Sequence, residues 1–406
     1  MRLFRRVLFW SHLVCGVVAG IVILIMCVTG VALTYQKEMQ WWADTRHYRA
    51  APAAGATRAT VDQILDAVRT FDESASPTTI AWRAEPDAPA AVAAGTRTLY
   101  VNPYTAAVYG EGTGQGVRQF FTTMTNWHRY LALAGDARPT GKAITGASNL
   151  MFLFVVISGM YLWWPKSLTW PQIRNITWFR GGLRAKARDF NWHNSIGFWS
   201  ALPLAVVVYS ATVISYPWSN NLVYRLMGEE PPAPAAGRAG GPGPGAGRGG
   251  GAAAATRVAS PQRADIDRMV DRAMTYQDDW AIVTVRVPAS SEEPVVFTID
   301  RGDAGQPNLR GTLTMTGTGP AEKWEDFSAQ TPGRRVRTFL RFAHTGEVWG
   351  FIGQTIAGLV SAGGAMLVYT GVSLAVRRLW AWLRRTTRVA ASVATSSSFD
   401  APSRPM

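Results

Sequence analysis

Cysteine is almost missing from this chain. There are two, Cys15 and Cys27, in 406 residues, and both fall in one apolar run. On a helix turning about 100° per residue they point roughly 120° apart, so they cannot form a disulfide. No CxxCH occurs, which excludes covalent c-type haem attachment. Nucleotide fingerprints are missing as well. The sole GxGxxG match, Gly245, Gly247 and Gly250, lies in a Gly/Pro/Ala run with no strand before it and no helix after it. With no P-loop and no flavin domain, any reductant has to come from another molecule. Charge is sparse at 17%, and acids are outnumbered, with 27 Asp and Glu against 41 Lys and Arg and a net charge of +14.

The sparse charge is unevenly placed. Residues 7–36, 143–165, 190–224 and 348–376 contain no Asp, Glu, Lys or Arg, and each exceeds the roughly 20 residues that cross a bilayer. The first run is too long for a signal-peptide core and has no small-residue cleavage site, so it reads as a retained anchor. Lys and Arg gather in short flanks: Arg2, Arg5 and Arg6; Lys166, Arg174, Arg180, Arg184, Lys186 and Arg188; and Arg377, Arg378, Arg384, Arg385 and Arg388. By the positive-inside rule these flanks and both termini are cytoplasmic. Much of the net charge is then topological, and no nucleic-acid partner is needed.

The two long segments between spans fall outside. The first has an amphipathic stretch at 60–71 and candidate strands at 78–82, 96–101 and 107–109. The second has the same order, a helix at 264–274 and β-rich runs at 281–287, 294–300 and 311–315. Each reads as a small α+β domain suited to binding rather than to a large catalytic cleft. The expected fold is thus a mainly α membrane protein, four transmembrane helices as a tandem repeat plus two small α+β periplasmic domains. Its divisions are span 1 (1–36), outer domain 1 (37–115), an interfacial helix with span 2 (116–165), a cytoplasmic loop (166–189), span 3 (190–224), a disordered tether (225–258), outer domain 2 (259–335), span 4 (336–380) and a cytoplasmic tail (381–406), disordered from Ala390.

Four of the five histidines follow the repeat. Measured from His12 and His193, both runs have Gly at plus four (Gly16, Gly197), a hydroxyl residue at plus seventeen (Thr29, Ser210) and Tyr at plus twenty-three (Tyr35, Tyr216). In the other pair of spans, Ile144, Gly146, Ser158, Gly159 and Leu162 match Ile356, Gly358, Thr370, Gly371 and Leu374, each set preceded by its own histidine, His128 or His344. Ionisable residues within a membrane mark function, and paired neutral imidazoles suit the two faces of a haem iron. The candidate ligands are therefore His12 with His193 near the cytoplasmic face and His128 with His344 near the outer face. Interfacial histidines beside Trp10 and Trp192 are the plain competing reading. His47, among Arg46, Tyr48 and Arg49, reads as solvated. Gly16 and Gly20, and Gly353, Gly358, Gly363 and Gly364, suit close helix approach or room for a flat macrocycle.

WSHLVCG at 10–16, NWHRYLAL at 126–133, SGMYLWWP at 158–165, NWHNSIGFW at 191–199, HTGEVWGFIGQ at 344–354 and YTGVSL at 369–374 resemble the PepSY-associated transmembrane family, iron-regulated membrane proteins that include di-haem ferric-siderophore reductases. VNPYTAAVYGE at 101–111 is similar to the end of a PepSY domain. The resemblance spans nearly the whole chain except the tether and tail. It implies PepSY-like outer domains, two haem b on the four histidines, and reduction of a ferric siderophore outside the inner membrane by electrons from a cytoplasmic or quinol donor. A transporter of iron or its chelate, and a non-enzymatic PepSY-type sensor, are the alternatives. The former is weakened by the lack of mid-span acids and of a broken-helix pair, the latter by making no use of the histidine symmetry.

Overall fold

A computed structural model of the chain describes residues 2–165, 169–232, 264–288, 290, 293–316 and 322–399. In chain order the elements are α1 (Arg2–Ala32), α2 (Gln36–Thr45), α3 (Val61–Phe71), β1 (Pro77–Arg83), β2 (Ala90–Ala94), β3 (Arg97–Val101), β4 (Val108–Glu111), α4 (Gln115–Tyr130), α5 (Arg138–Trp163), α6 (Trp170–Thr177), α7 (Ala185–Ser215), α8 (Pro217–Leu226), α9 (Ala264–Tyr276), β5 (Ile282–Arg286), β6 (Val295–Asp300), β7 (Arg310–Met315), β8 (Glu322–Asp326), α10 (Pro332–Ala343) and α11 (Gly350–Phe399). They form two compact units, Met1–Val31 with Trp127–Thr212 and Gly358–Met406, and Ala32–Asn126 with Val213–Ala357.

Among the described residues four helices are long and apolar enough to cross a membrane: Leu3–Ala32, Gly135–Trp163, Ala185–Ser215 and Glu347–Arg384. Their ends differ from the sequence reading for local reasons. The third helix starts earlier, at Ala185, and stops at Ser215, because Tyr216 precedes Pro217 and is extended at φ −119° and ψ 122°. A residue before proline is pushed out of the α region, and proline then starts α8. The fourth begins after a break, since Gly346 (φ +79°) and Gly350 (φ +59°) adopt left-handed backbone between α10 and α11. Beyond it, the tail expected to be disordered from Ala390 is helical as far as Phe399, in keeping with its alanines. The tether expected over 225–258, with its glycine match, lies outside the described residues from 233 onward; its first residues finish α8.

The first unit is a bundle of the membrane helices. On α1 the inward stripe is His12, Gly16, Ala19, Ile23, Cys27 and Gly30; on α7 it is His193, Gly197, Ser200, Leu204, Val208 and Ala211, at the same three- and four-residue spacing. Ala19, Ile23, Cys27, Leu204 and Val208 are buried together with Phe152, Val156 and Val360. Val14, Val18 and Ile21 on α1 and Trp199 and Leu202 on α7 are exposed, as lipid-facing residues should be. Lipid tails are as apolar as these side chains, so close packing and hydrogen bonds must hold the helices together. A Cβ on Gly364 would lie 2.8 Å from Cys27 Sγ, so glycine lets α11 approach α1. Asn149 Nδ2 donates to Val208 O at 3.1 Å and to Thr212 Oγ1 at 2.9 Å, tying α5 to α7. Both cysteines are free.

The second unit is built on one antiparallel sheet of the eight described strands, in the order β4-β3-β2-β1-β5-β6-β7-β8. The two outer segments, read from sequence as two small domains, thus share a sheet through β1 and β5, with Ile80 opposite Val285 and Trp82 opposite Val283. Joining those strands removes two open apolar edges. One face is covered by Ile64, Leu65 and Val68 of α3 and Val270 and Ala273 of α9, packed on Ile80, Val283, Phe297 and Leu313. Helix α3 starts where expected, because Thr60 and Gln63 form a reciprocal capping box. Two strands escaped the sequence reading. β2 is AAVAA, poor in β-branched residues, and β8 is EKWED, whose charges suit an exposed edge.

Phe297→Ala should cost about 3–5 kcal/mol through the cavity it leaves. Because the sheet is continuous, hydrogen exchange should speed up in β1–β3 as well as in β5–β7; acceleration confined to the second set would show that the halves unfold independently.

Candidate functional site

Three of the four repeat-related histidines lie in the first unit, each held in the same way. His12 Nδ1 is 2.9 Å from Ser158 Oγ, His193 Nδ1 is 3.0 Å from Thr370 Oγ1, and His128 Nδ1 is 3.0 Å from Thr29 Oγ1. Each hydroxyl gives its single proton to its own helix: Ser158 to Val155 O at 3.2 Å, Thr370 to Met366 O at 2.8 Å and Thr29 to Ile25 O at 2.7 Å. A hydroxyl that spends its proton there accepts from the ring. The network assigns the proton of each neutral imidazole to Nδ1 and leaves Nε2 with a lone pair. Orienting a ring through one nitrogen is how proteins prepare the other as a metal ligand.

A glycine completes each cradle. A Cβ on Gly159 would lie 3.3 Å from His12 Cε1, one on Gly371 3.2 Å from His193 Cε1, and one on Gly30 3.6 Å from His128 Cε1. Hydroxyl and glycine are consecutive each time: Ser158-Gly159, Thr370-Gly371 and Thr29-Gly30. The repeat position of the third pair in the other half is Ser210-Ala211. Thr29, Ser158, Gly159, Thr370 and Gly371 are repeat landmarks in the sequence, but their task is not legible there, and Gly30 is not marked at all. The signal present is that Ser158-Gly159 and Thr370-Gly371 fall at matching repeat positions.

The elements set two levels. His12 and His193 sit near the starts of α1 and α7, on Ser158 of α5 and Thr370 of α11. His128 meets α1 seventeen residues past His12, about 25 Å along the helix. The end of α4 that carries His128 is docked on α5: Thr145 Oγ1 donates to Arg129 O at 3.0 Å, and any Cβ on Gly141 would strike Tyr130 O at 2.1 Å. Gly16 has nothing within 4 Å of a Cβ position, whereas Gly20 packs on Val368 and Val372, so of the two proposed uses of small residues, helix contact belongs to Gly20 and space beside His12 to Gly16. Below His193, buried Asp189 accepts from Ser373 Oγ at 2.7 Å and lies 3.6 Å from Arg377, joining α7 to α11.

His344, half-buried, caps the C-terminus of α10 in the second unit, its backbone N–H on Leu340 O at 3.1 Å. His47 is exposed and accepts from Arg46 Nε at 3.0 Å, as a solvated side chain would. Among the described residues no three His, Cys, Asp or Glu gather to hold a metal ion. A metal bound at these imidazoles would need its remaining ligands from another molecule.

Four apolar helices long enough to span a membrane, with histidines cradled inside their bundle, define a polytopic membrane protein. The chain belongs to the PepSY-associated TM region family, whose pattern matches residues 9–378. No curated protein matches it.

Ser158→Ala or Thr370→Ala should leave a buried Nδ1–H without an acceptor, at a cost of about 1–3 kcal/mol. In nitrogen-15 NMR of labelled histidine, the wild type should show slowly exchanging Nδ1–H signals for His12 and His193, each lost in the matching variant. A wild-type proton on Nε2 would contradict the assigned network.

Proposed function

We propose that the protein carries electrons across a bacterial inner membrane on two b-type haems and reduces ferric siderophores on the outer side. The observation that carries this reading is the shared histidine cradle, in which a hydroxyl acceptor on Nδ1 and a glycine against Cε1 present a fixed, unprotonated Nε2. The four histidines would hold the two haems, paired as the tandem repeat pairs them, His12 with His193 and His128 with His344. A bound haem supplies one-electron chemistry, and imidazole on both axial positions favours electron transfer over oxygen binding.

The chain's own contribution is placement. Two cradle levels about 25 Å apart along α1 set one site near each end of the span. Lys and Arg in the N-terminal flank, the 166–189 connection and the last part of α11 from Arg377 support a cytoplasmic position for those segments. Donation from the cytoplasm or from a membrane quinol then enters at the His12 and His193 level. The PepSY-like sheet domain holds the chelate. Reduction releases iron because hard oxygen donors favour the ferric ion over the softer ferrous one.

Purified protein should show a Soret band and sharp α-bands on reduction. His12→Ala and His193→Ala should each lower haem content by about half, and both should abolish ferrous release from ferric siderophore in right-side-out vesicles supplied with an internal donor. Folded, colourless wild-type protein grown with ample haem and iron would contradict the proposal.

A further inference from the structure

Helix α10 carries Arg334, Arg335, Arg337 and Arg341 in twelve residues and ends on His344. Arg334, Arg337, Arg341 and His344 recur at three- and four-residue spacing, which sets them along one side of the helix. Helix α8 packs beside α10: a Cβ on Gly333 would meet Tyr224 Cδ1 at 2.7 Å. Arg334, next to Gly333, and Arg225, next to Tyr224, thus flank the same helix contact.

The first half shows what the equivalent positions do. In the register that sets His12 on His193, Asp44 falls on Arg225; in the register that sets His128 on His344, Arg118 falls on Arg334. Arg118 and Asp44 form an ion pair, braced by Gly114 N–H on Asp44 Oδ1 at 3.1 Å and by Arg118 Nη2 on Gly112 O at 3.0 Å. The second half has kept the arginine and replaced its carboxylate with another arginine. Among the described residues Arg225, Arg334 and Arg335 make no ion pair or hydrogen bond with another side chain. The nearby Glu229 accepts from Thr331 Oγ1 at 2.7 Å and from Gly333 N–H at 2.8 Å and supplies one negative charge at this contact. Arg337 donates to Asn220 at 3.3 Å. Arginines that outnumber the carboxylate beside them focus a positive field on the surface, which an arriving anion relieves.

We propose that Arg225, Arg334 and Arg335 form a capture site for iron chelates of net negative charge, at the start of the helix that ends on His344. This rests on the reading of the protein as a ferric-chelate reductase and names the charge class of its substrate. Arg334 stands ten residues from His344, about 15 Å along the helix, and Arg337 and Arg341 line the interval. Guanidinium forks suit the carboxylate or phenolate oxygens of such a chelate.

The test uses full-length protein in phosphatidylcholine nanodiscs and two gallium chelates, which accept no electron: gallium–EDTA, an anion, and gallium–desferrioxamine B, a cation. Calorimetry should show gallium–EDTA binding the wild type, at least tenfold more weakly in R225E/R334E, with an intermediate loss in R225Q/R334Q and a fall with added salt. The cationic chelate should be unaffected by the substitutions or gain. Equal effects on both chelates, or no anion binding above that of empty discs, would overturn the proposal. So would loss of anion binding when phosphatidylglycerol enters the discs, which would make the cluster a lipid-headgroup site. Because heat is read rather than electron transfer, a negative result leaves the haem reading standing, and a missing Soret band leaves this measurement interpretable.

Discussion

The arrangement depends on a hydrogen bond from an imidazole Nδ1–H to a hydroxyl whose own proton is already committed to its helix. In a membrane interior no water can satisfy a misplaced N–H, so a ring without this acceptor would swing or change tautomer. The hydroxyl fixes the ring in one orientation, and the adjacent glycine lets the two helices come close enough for the bond to form. One dipeptide thereby settles tautomer, ring direction and helix spacing. Its recurrence at His12, His193 and His128 makes accidental packing a poor explanation, because packing alone requires neither the hydroxyl nor its register.

The rest of the bundle serves that geometry. Helices in lipid gain little from burying apolar surface against each other. Their relative positions come from specific contacts: Gly364 on Cys27, Asn149 across to α7, and Asp189 with Ser373 and Arg377 one turn from His193. The sheet of the second unit follows the rules of an aqueous core instead. It gathers a continuous apolar face under α3 and α9, leaves charge on β8, and joins the strands of two distant segments so that neither keeps an exposed inner edge.

Much of this was legible in the sequence. The four spans follow from charge-free runs, most strands from alternation, and the histidines from their register in the repeat. What escaped was decided by neighbours distant in sequence or by backbone detail. Ala90–Ala94 becomes a strand because β1 and β3 pair with it on either side, against weak propensity. The third span stops at Ser215 because of a single proline, although the apolar run continues to Tyr224. The merging of two outer segments into one sheet is invisible to any local pattern, since it joins Ile80 to Val285 across two spans and the tether. At the site, the histidines, Thr29 and the Ser158-Gly159 and Thr370-Gly371 pairs stand out as repeat positions, Gly30 does not, and only the folded bundle reveals that each pair belongs to a histidine on another helix.

The central claim, that imidazole pairs clamp haem iron, is tested most directly by low-temperature electron paramagnetic resonance of the oxidised, purified protein. The account predicts two low-spin ferric signals typical of bis-imidazole ligation, one of which disappears in His12→Ala and in His193→Ala. High-spin signals alone, or two unchanged low-spin signals in those variants, would contradict it.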